Sequence, residues 1–165
     1  MHGSTVVEVT RPGEHAGAEA DAAFTRVPGA VLAVRTADCI PLVLMGDGVV
    51  GVVHAGWRGL AAGIVGATIT AMGSVDRAVV GPHIRVGCYE FGEDDLDTVA
   101  AALGDHVRGL TTTGAPALDL TAGVNAALEG LTVADAGACT ACTSFYFSWR
   151  ARRETARFAT LAWMS

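Results

Sequence analysis

Charge is scarce in this sequence, since Asp, Glu, Lys and Arg together make up only 17% of 165 residues while apolar types make up 51%. Such an apolar balance excludes a disordered chain, which lacks the hydrophobic surface needed to offset the entropy of ordering. Basic residues are particularly few, 11 against 17 acidic. A general nucleic-acid surface, which must displace counterions from phosphates, is therefore not expected. Long hydrophobic runs are missing too. Arg35, Asp38, Asp47, His54 and Arg58 interrupt the richest region, so no stretch reaches the roughly 18 to 20 apolar residues that span a bilayer. Nothing at the N-terminus reads as a secretory signal, so the cytoplasm is the expected location. Four cysteines do not make a disulfide framework in a domain of this length, and they are read as thiols.

What remains is one domain's worth of core, residues 1–165, without repeats, low-complexity segments or an internal linker. Thr5–Val9 reads as a strand and 11–21 as a surface loop. Three branched apolar runs follow, Ala30–Thr36, Ile40–Met45 and Val49–His54, separated by turn residues as buried strands of one sheet would be. The spacing of Leu60, Ile64, Val65, Ile69 and Met72 predicts a helix over 57–72, stopped by Gly73. Residues 77–80 read as a strand, 94–103 as a helix with acidic residues in its first turn, 111–115 as a loop, 120–131 as a helix and 132–134 as a strand. Two late runs, 145–149 and 158–163, alternate in strand fashion. Interleaved strands and helices indicate an α/β layered domain.

The chemistry concentrates in two motifs at strand ends, TADC (Thr36–Cys39) and HAGWRG (His54–Gly59). Pairing of neighbouring strands would bring the Cys39 thiol and the His54 imidazole together. A thiolate with imidazoles suits zinc, and three protein ligands with an open fourth position mark a catalytic ion. His2 is the best third ligand. Taken singly, each residue also has an ordinary reading: a buried thiol, a hydrogen-bonded histidine, a terminal residue. Cys139 and Cys142 form a C-x-x-C pair without a second pair or a suitable histidine partner, and Cys88, near His83, reads as core; these three stay outside the expected metal set. The glycine-rich turn after His54 offers backbone N–H groups to an anion, with Arg58 beside it. Arg150, Arg152, Arg153 and Arg157 form a second basic cluster, flanked by aromatics that either pack the core or stack a base.

In order, TADCIPLVL, GVVHAGWRGLAAGIV, VGPHIRVGCYEFG, CTAC and FSWR reproduce a motif series, and from His2 to the C-terminus the chain resembles the laccase-domain, or multicopper polyphenol oxidase-like, family, whose members have also been described as purine nucleoside phosphorylases. The resemblance implies a three-layer α/β fold, a mixed sheet flanked by helices, like that of the catalytic domain of cytotoxic necrotizing factor. It implies a metal site on His2, Cys39 and His54, matching the family's histidine, ADC and HAGWRG motifs. It also implies zinc-dependent phosphorolysis of adenosine, inosine, guanosine and methylthioadenosine, with adenosine deamination as a companion activity.

On that reading Cys39, His54 and Asp38 serve catalysis, and Arg58 and Arg150 bind substrate or phosphate. The partners are small molecules, with no nucleic acid and no membrane. Where family members carry a segment before the histidine motif this sequence begins, and the late S-Y-R-R motif appears as Ser148-Trp149-Arg150-Ala151, which points to an altered substrate preference. Other readings are a Cys39–His54 thiol hydrolase, a copper-dependent polyphenol oxidase, a cell-wall precursor editing enzyme, and a domain that binds a metal or partner without turnover.

Overall fold

The structure is a computed structural model that describes residues 3–165. It opens with β1 (Val6–Val9), β2 (Ala22–Thr25), β3 (Leu32–Thr36), β4 (Ile40–Gly46) and β5 (Val49–Ala55). Two helices follow, α1 (Trp57–Ala61) and α2 (Ile64–Met72), and then β6 (Arg77–Val80) and α3 (Glu93–Leu103). A short hairpin, β7 (Arg108–Leu110) and β8 (Pro116–Leu118), leads into α4 (Leu120–Ala127) and β9 (Thr132–Asp135). The chain ends with α5 (Trp149–Arg152) and β10 (Phe158–Ala162).

Six strands form a mixed sheet in the order β1-β2-β5-β4-β6-β9, parallel at both edges and antiparallel within. Its centre, β4 and β5, is apolar on both faces. Successive side chains of a strand point to opposite faces, so Ile40, Leu42, Leu44, Val49 and Val53 pack toward the helices while Val50 and Val52 pack the other way. The helical layer covers the first face. On the second lies a two-stranded antiparallel ribbon of β3 and β10, whose Leu32, Val34 and Ala162 close a smaller core. The α/β class and the mixed sheet with flanking helices are as expected, and the third layer is this ribbon.

Several expected elements differ. The helix over 57–72 is two helices, because Gly63 adopts φ +78° between them, a left-handed conformation that glycine takes without penalty. The 145–149 segment is not a strand: it runs as turns into α5, which Ser148 caps by accepting from the Ala151 N–H at 3.1 Å. Its Phe145 is exposed. Strands β2, β7 and β8 were not expected; as AAFT, RGL and PAL they carry almost none of the β-branched residues that mark strands. Among the described residues, no helix is long and apolar enough to cross a membrane.

Candidate active site and thiol cluster

Register explains how TADC and HAGWRG meet. His54 follows Val50 and Val52 on the ribbon-side face of β5 and pairs with Pro41 of β4. Cys39 stands two residues from Pro41, so the same alternation carries it to that face. Both line one cavity of about 210 Å³. An adjoining cleft of about 550 Å³, under the ribbon and the 13–18 loop, shares His54 and Arg35 with it.

The tight turn that delivers Cys39 depends on Asp38, which is buried with φ +80°. Its Oδ1 accepts from the Thr140 hydroxyl at 2.7 Å and its Oδ2 from the Arg150 N–H at 2.7 Å, while its carbonyl accepts from the Ile84 N–H at 2.9 Å. Both carboxylate oxygens are thus engaged, and they tie the Cys39 turn to two loops distant in sequence. Asp21 plays a similar part at the start of the chain. Its Oδ1 accepts from the Gly3 N–H at 3.0 Å and its Oδ2 from the Thr5 N–H at 3.3 Å, while its carbonyl accepts from the His54 N–H at 2.8 Å. A Cβ on Gly59, in α1, would stand 3.1 Å from the Gly3 carbonyl, so a side chain there would press the start of the chain by a few tenths of an ångström. His2 itself lies outside the described residues.

Aromatic rings and guanidinium groups wall the cavity. Trp57, Tyr89 and Trp149 line it, with Trp57 packed edge-on to Phe91 at 5.5 Å and Phe91 edge-on to Tyr89 at 5.3 Å. Arg150 lies over the Tyr89 ring at 4.8 Å and donates to the Glu90 carbonyl at 3.0 Å. Arg157 reaches the same space but spends one nitrogen on the carbonyls of Glu154, Thr155 and Ala156. Arg35, missed by the sequence reading, lines both cavities, and its guanidinium has no protein partner among the described residues. Thr36 was also missed: its hydroxyl is buried in the cavity wall without a hydrogen-bond partner among the described residues, a condition that costs free energy unless a ligand or water satisfies it. Arg58 instead lies over the Trp57 ring at 4.0 Å and is not among the cavity-lining residues.

Burial, with the Asp38 charge adding to it, pushes the Cys39 thiol up to about 11. Burial and then the nearby Cys39 push the Tyr89 hydroxyl up to about 12, so it stays protonated at neutral pH. A half-buried neutral thiol sharing a cavity with an imidazole is a poor nucleophile but a ready soft ligand once a cation displaces its proton. The donor chemistry of Cys39 and His54 therefore fits a zinc or copper ion.

A second group lies outside this cavity. The Sγ atoms of Cys88, Cys139 and Cys142 are all within 4.8 Å of one another, a set able to hold a metal ion. Cys88 ends a 3-10 turn, Val86–Cys88, and Cys139 forms a parallel bridge with His83. His83 is a core histidine: Nδ1 donates to the Gly81 carbonyl at 2.9 Å and Nε2 accepts from the Thr121 hydroxyl at 2.8 Å. Burial holds its pKa below the usual value.

The matches to known proteins agree with this architecture. The family model described as "Multi-copper polyphenol oxidoreductase laccase" matches residues 1–165. A purine nucleoside phosphorylase of Streptomyces coelicolor is 38% identical over 176 residues, covering 99% of this chain and 72% of that protein. Another, from Streptomyces griseus, is 40% identical with the same coverage of each. A Neisseria meningitidis protein of known crystal structure superposes with a TM-score of 0.87 at 30% identity, over 100% of this chain and 72% of the other. With its strand-end Cys39 and His54 in the expected motifs and on one sheet face, the chain belongs to the multi-copper polyphenol oxidoreductase laccase family.

Proposed function

We propose that this chain is a zinc-dependent purine nucleoside phosphorylase whose metal is held by His2, Cys39 and His54. The observation that carries this reading is the convergence of Cys39 and His54 on one aromatic- and arginine-lined cavity, in a chain whose relatives are named purine nucleoside phosphorylases. The anchoring of Gly3 by Asp21, the residue whose carbonyl also holds the His54 backbone, supports His2 as the third ligand. When bound, zinc supplies a Lewis acid that orients and polarises an oxygen of phosphate or of the sugar.

The chain's own residues supply the rest. Trp57, Tyr89 and Trp149 offer ring faces and edges to a purine. Arg35 and Arg150 hold the phosphate, Arg35 with its full set of donors and Arg150 from its seat over Tyr89. Arg58 acts at the rim, because its guanidinium stacks on the cavity-lining Trp57 while it is not itself among the lining residues. In the reaction a phosphate oxygen forms a bond to the anomeric carbon as the carbon–nitrogen bond to the base breaks. The electron pair leaves with the base, which takes up a proton. Asp38 acts by position, holding the Cys39 turn against the loops that carry Thr140 and Arg150. Adenosine, inosine, guanosine and methylthioadenosine are the substrates of this reading, adenosine deamination is its companion activity, and a reducing cytoplasm suits its free thiols. A Cys39–His54 hydrolase is the weaker reading, because the raised thiol lacks the thiolate that such chemistry needs.

The test is release of free base from adenosine and inosine, with and without phosphate, by wild type and His54→Ala. Phosphate-dependent release that disappears in the variant supports the reading. Release that ignores phosphate, or that survives in His54→Ala, contradicts it.

A further inference from the structure

Three thiols meeting from two distant segments need a reason beyond packing. Cys88 closes the 3-10 turn just before Tyr89, and Cys139 and Cys142 flank a turn that begins next to Thr140, the partner of Asp38. Tyr89 and, further on, Arg150 line the cavity, yet none of the three cysteines does. The cluster therefore sits behind the cavity wall, where the two wall-forming segments touch.

Its geometry suits a metal. The Sγ atoms of Cys88 and Cys142 are 3.1 Å apart and all three lie within 4.8 Å of one another. A tetrahedral zinc with bonds near 2.3 Å sets its sulfurs about 3.8 Å apart, so loading needs only small side-chain shifts. The Arg85 backbone N–H already donates to the Cys139 sulfur at 3.4 Å, an arrangement that favours thiolate over thiol. Arg85 is itself fixed by its ion pair with Asp135. Cys142 is exposed and the other two are partly buried, which leaves room for a water as fourth ligand on the outer side.

We propose that Cys88, Cys139 and Cys142 form a second metal site, which takes a zinc-class ion through three thiolates, leaves its fourth position to a water on the outer side, and clamps the Tyr89 segment to the 139–150 segment. Binding expels the thiol protons to solvent and changes no oxidation state. The site is separate from the cavity ligands and stands whether or not the nucleoside reading holds.

The test removes the cavity ligands first. A Cys39→Ser/His54→Ala chain, purified under reducing conditions with zinc present, should retain about one zinc per chain by elemental analysis. Replacing that zinc with cobalt should give intense sulfur-to-metal charge-transfer absorption. Adding Cys142→Ser should abolish both signals while the circular dichroism stays unchanged. Should the cavity double variant fail to fold, wild type answers by thiol alkylation mapped with mass spectrometry: zinc should shield Cys88, Cys139 and Cys142, and a chelator should expose them together. A zinc-free folded double variant, alkylation of the three cysteines unaffected by zinc, or a Cys88–Cys142 disulfide in the reduced-purified protein would each overturn the proposal.

Discussion

The two faces of the β4–β5 pair differ in what covers them. Toward the helices, Ile40, Leu42, Leu44 and Val53 are all fully buried against α1 through α4, and the face is sealed along its length. Toward the ribbon, apolar packing stops after Val50 and Val52, and the next side chain on that face, His54, opens into the cavity with Cys39. The same two strands are thus a core on one side and a reactive rim on the other, divided by the period of two. Rigidity of the sealed face holds the open face in place. A one-residue slip of β5 would turn the imidazole toward the helical layer, and a one-residue slip of β4 would turn Leu42 and Leu44 toward the ribbon.

This contrast can be broken from either side, and the sealed face gives the larger effect. Leu42→Ala should lower stability by about 2–5 kcal/mol, as large-to-small changes in a tight core do, while each molecule still folded keeps its turnover; urea unfolding beside activity per folded chain checks this. On the open face, His54→Ala should cut base release by about 100-fold or more, with a smaller shift of the metal-free unfolding midpoint than Leu42→Ala gives, since it removes the proposed metal ligand and no core leucine. Arg150→Ala should raise the phosphate KM by about 10-fold or more, the worth of a charge-assisted hydrogen bond, with a smaller effect on nucleoside KM. The smallest effect belongs to His83, behind the wall. Its folded pKa lies below the ordinary 6.5 because it is buried, so the unfolded chain binds its proton first as pH falls. Stability is then fully present above about 6.5 and declines as pH drops from there through the lower folded value. His83→Gln, which keeps hydrogen-bonding groups, should flatten that decline in thermal unfolding measured from pH 7.5 to 5.

The contrast also shows what could be read from sequence. Alternating branched residues in 40–45 and 49–54, with turn chemistry at Asp38 and Gly56, are local signals, and they located β4, β5 and the Cys39–His54 pair. The break at Gly63 was less visible, since the apolar spacing runs straight through it. Aromatic alternation in 145–149 suggested a strand, but no partner strand among the described residues meets it: the Arg150 N–H goes to Asp38 and Ser148 caps α5. Arg35, Thr36 and Tyr89 reach the cavity only through packing of the ribbon and the Val86–Cys88 turn, which no local pattern encodes. The thiol cluster was half visible. Its C-x-x-C pair stands out in the sequence, whereas Cys88 joins it through the His83–Cys139 bridge, a contact between segments more than fifty residues apart.

The most direct test of the central claim, that the open face performs phosphorolysis, is phosphorus NMR of inosine incubated with phosphate and the zinc-loaded chain. Stoichiometric ribose 1-phosphate alongside free base, absent with His54→Ala, is the predicted result. Free ribose in place of the phosphorylated sugar, or no base released at all by the zinc-loaded chain, would contradict it.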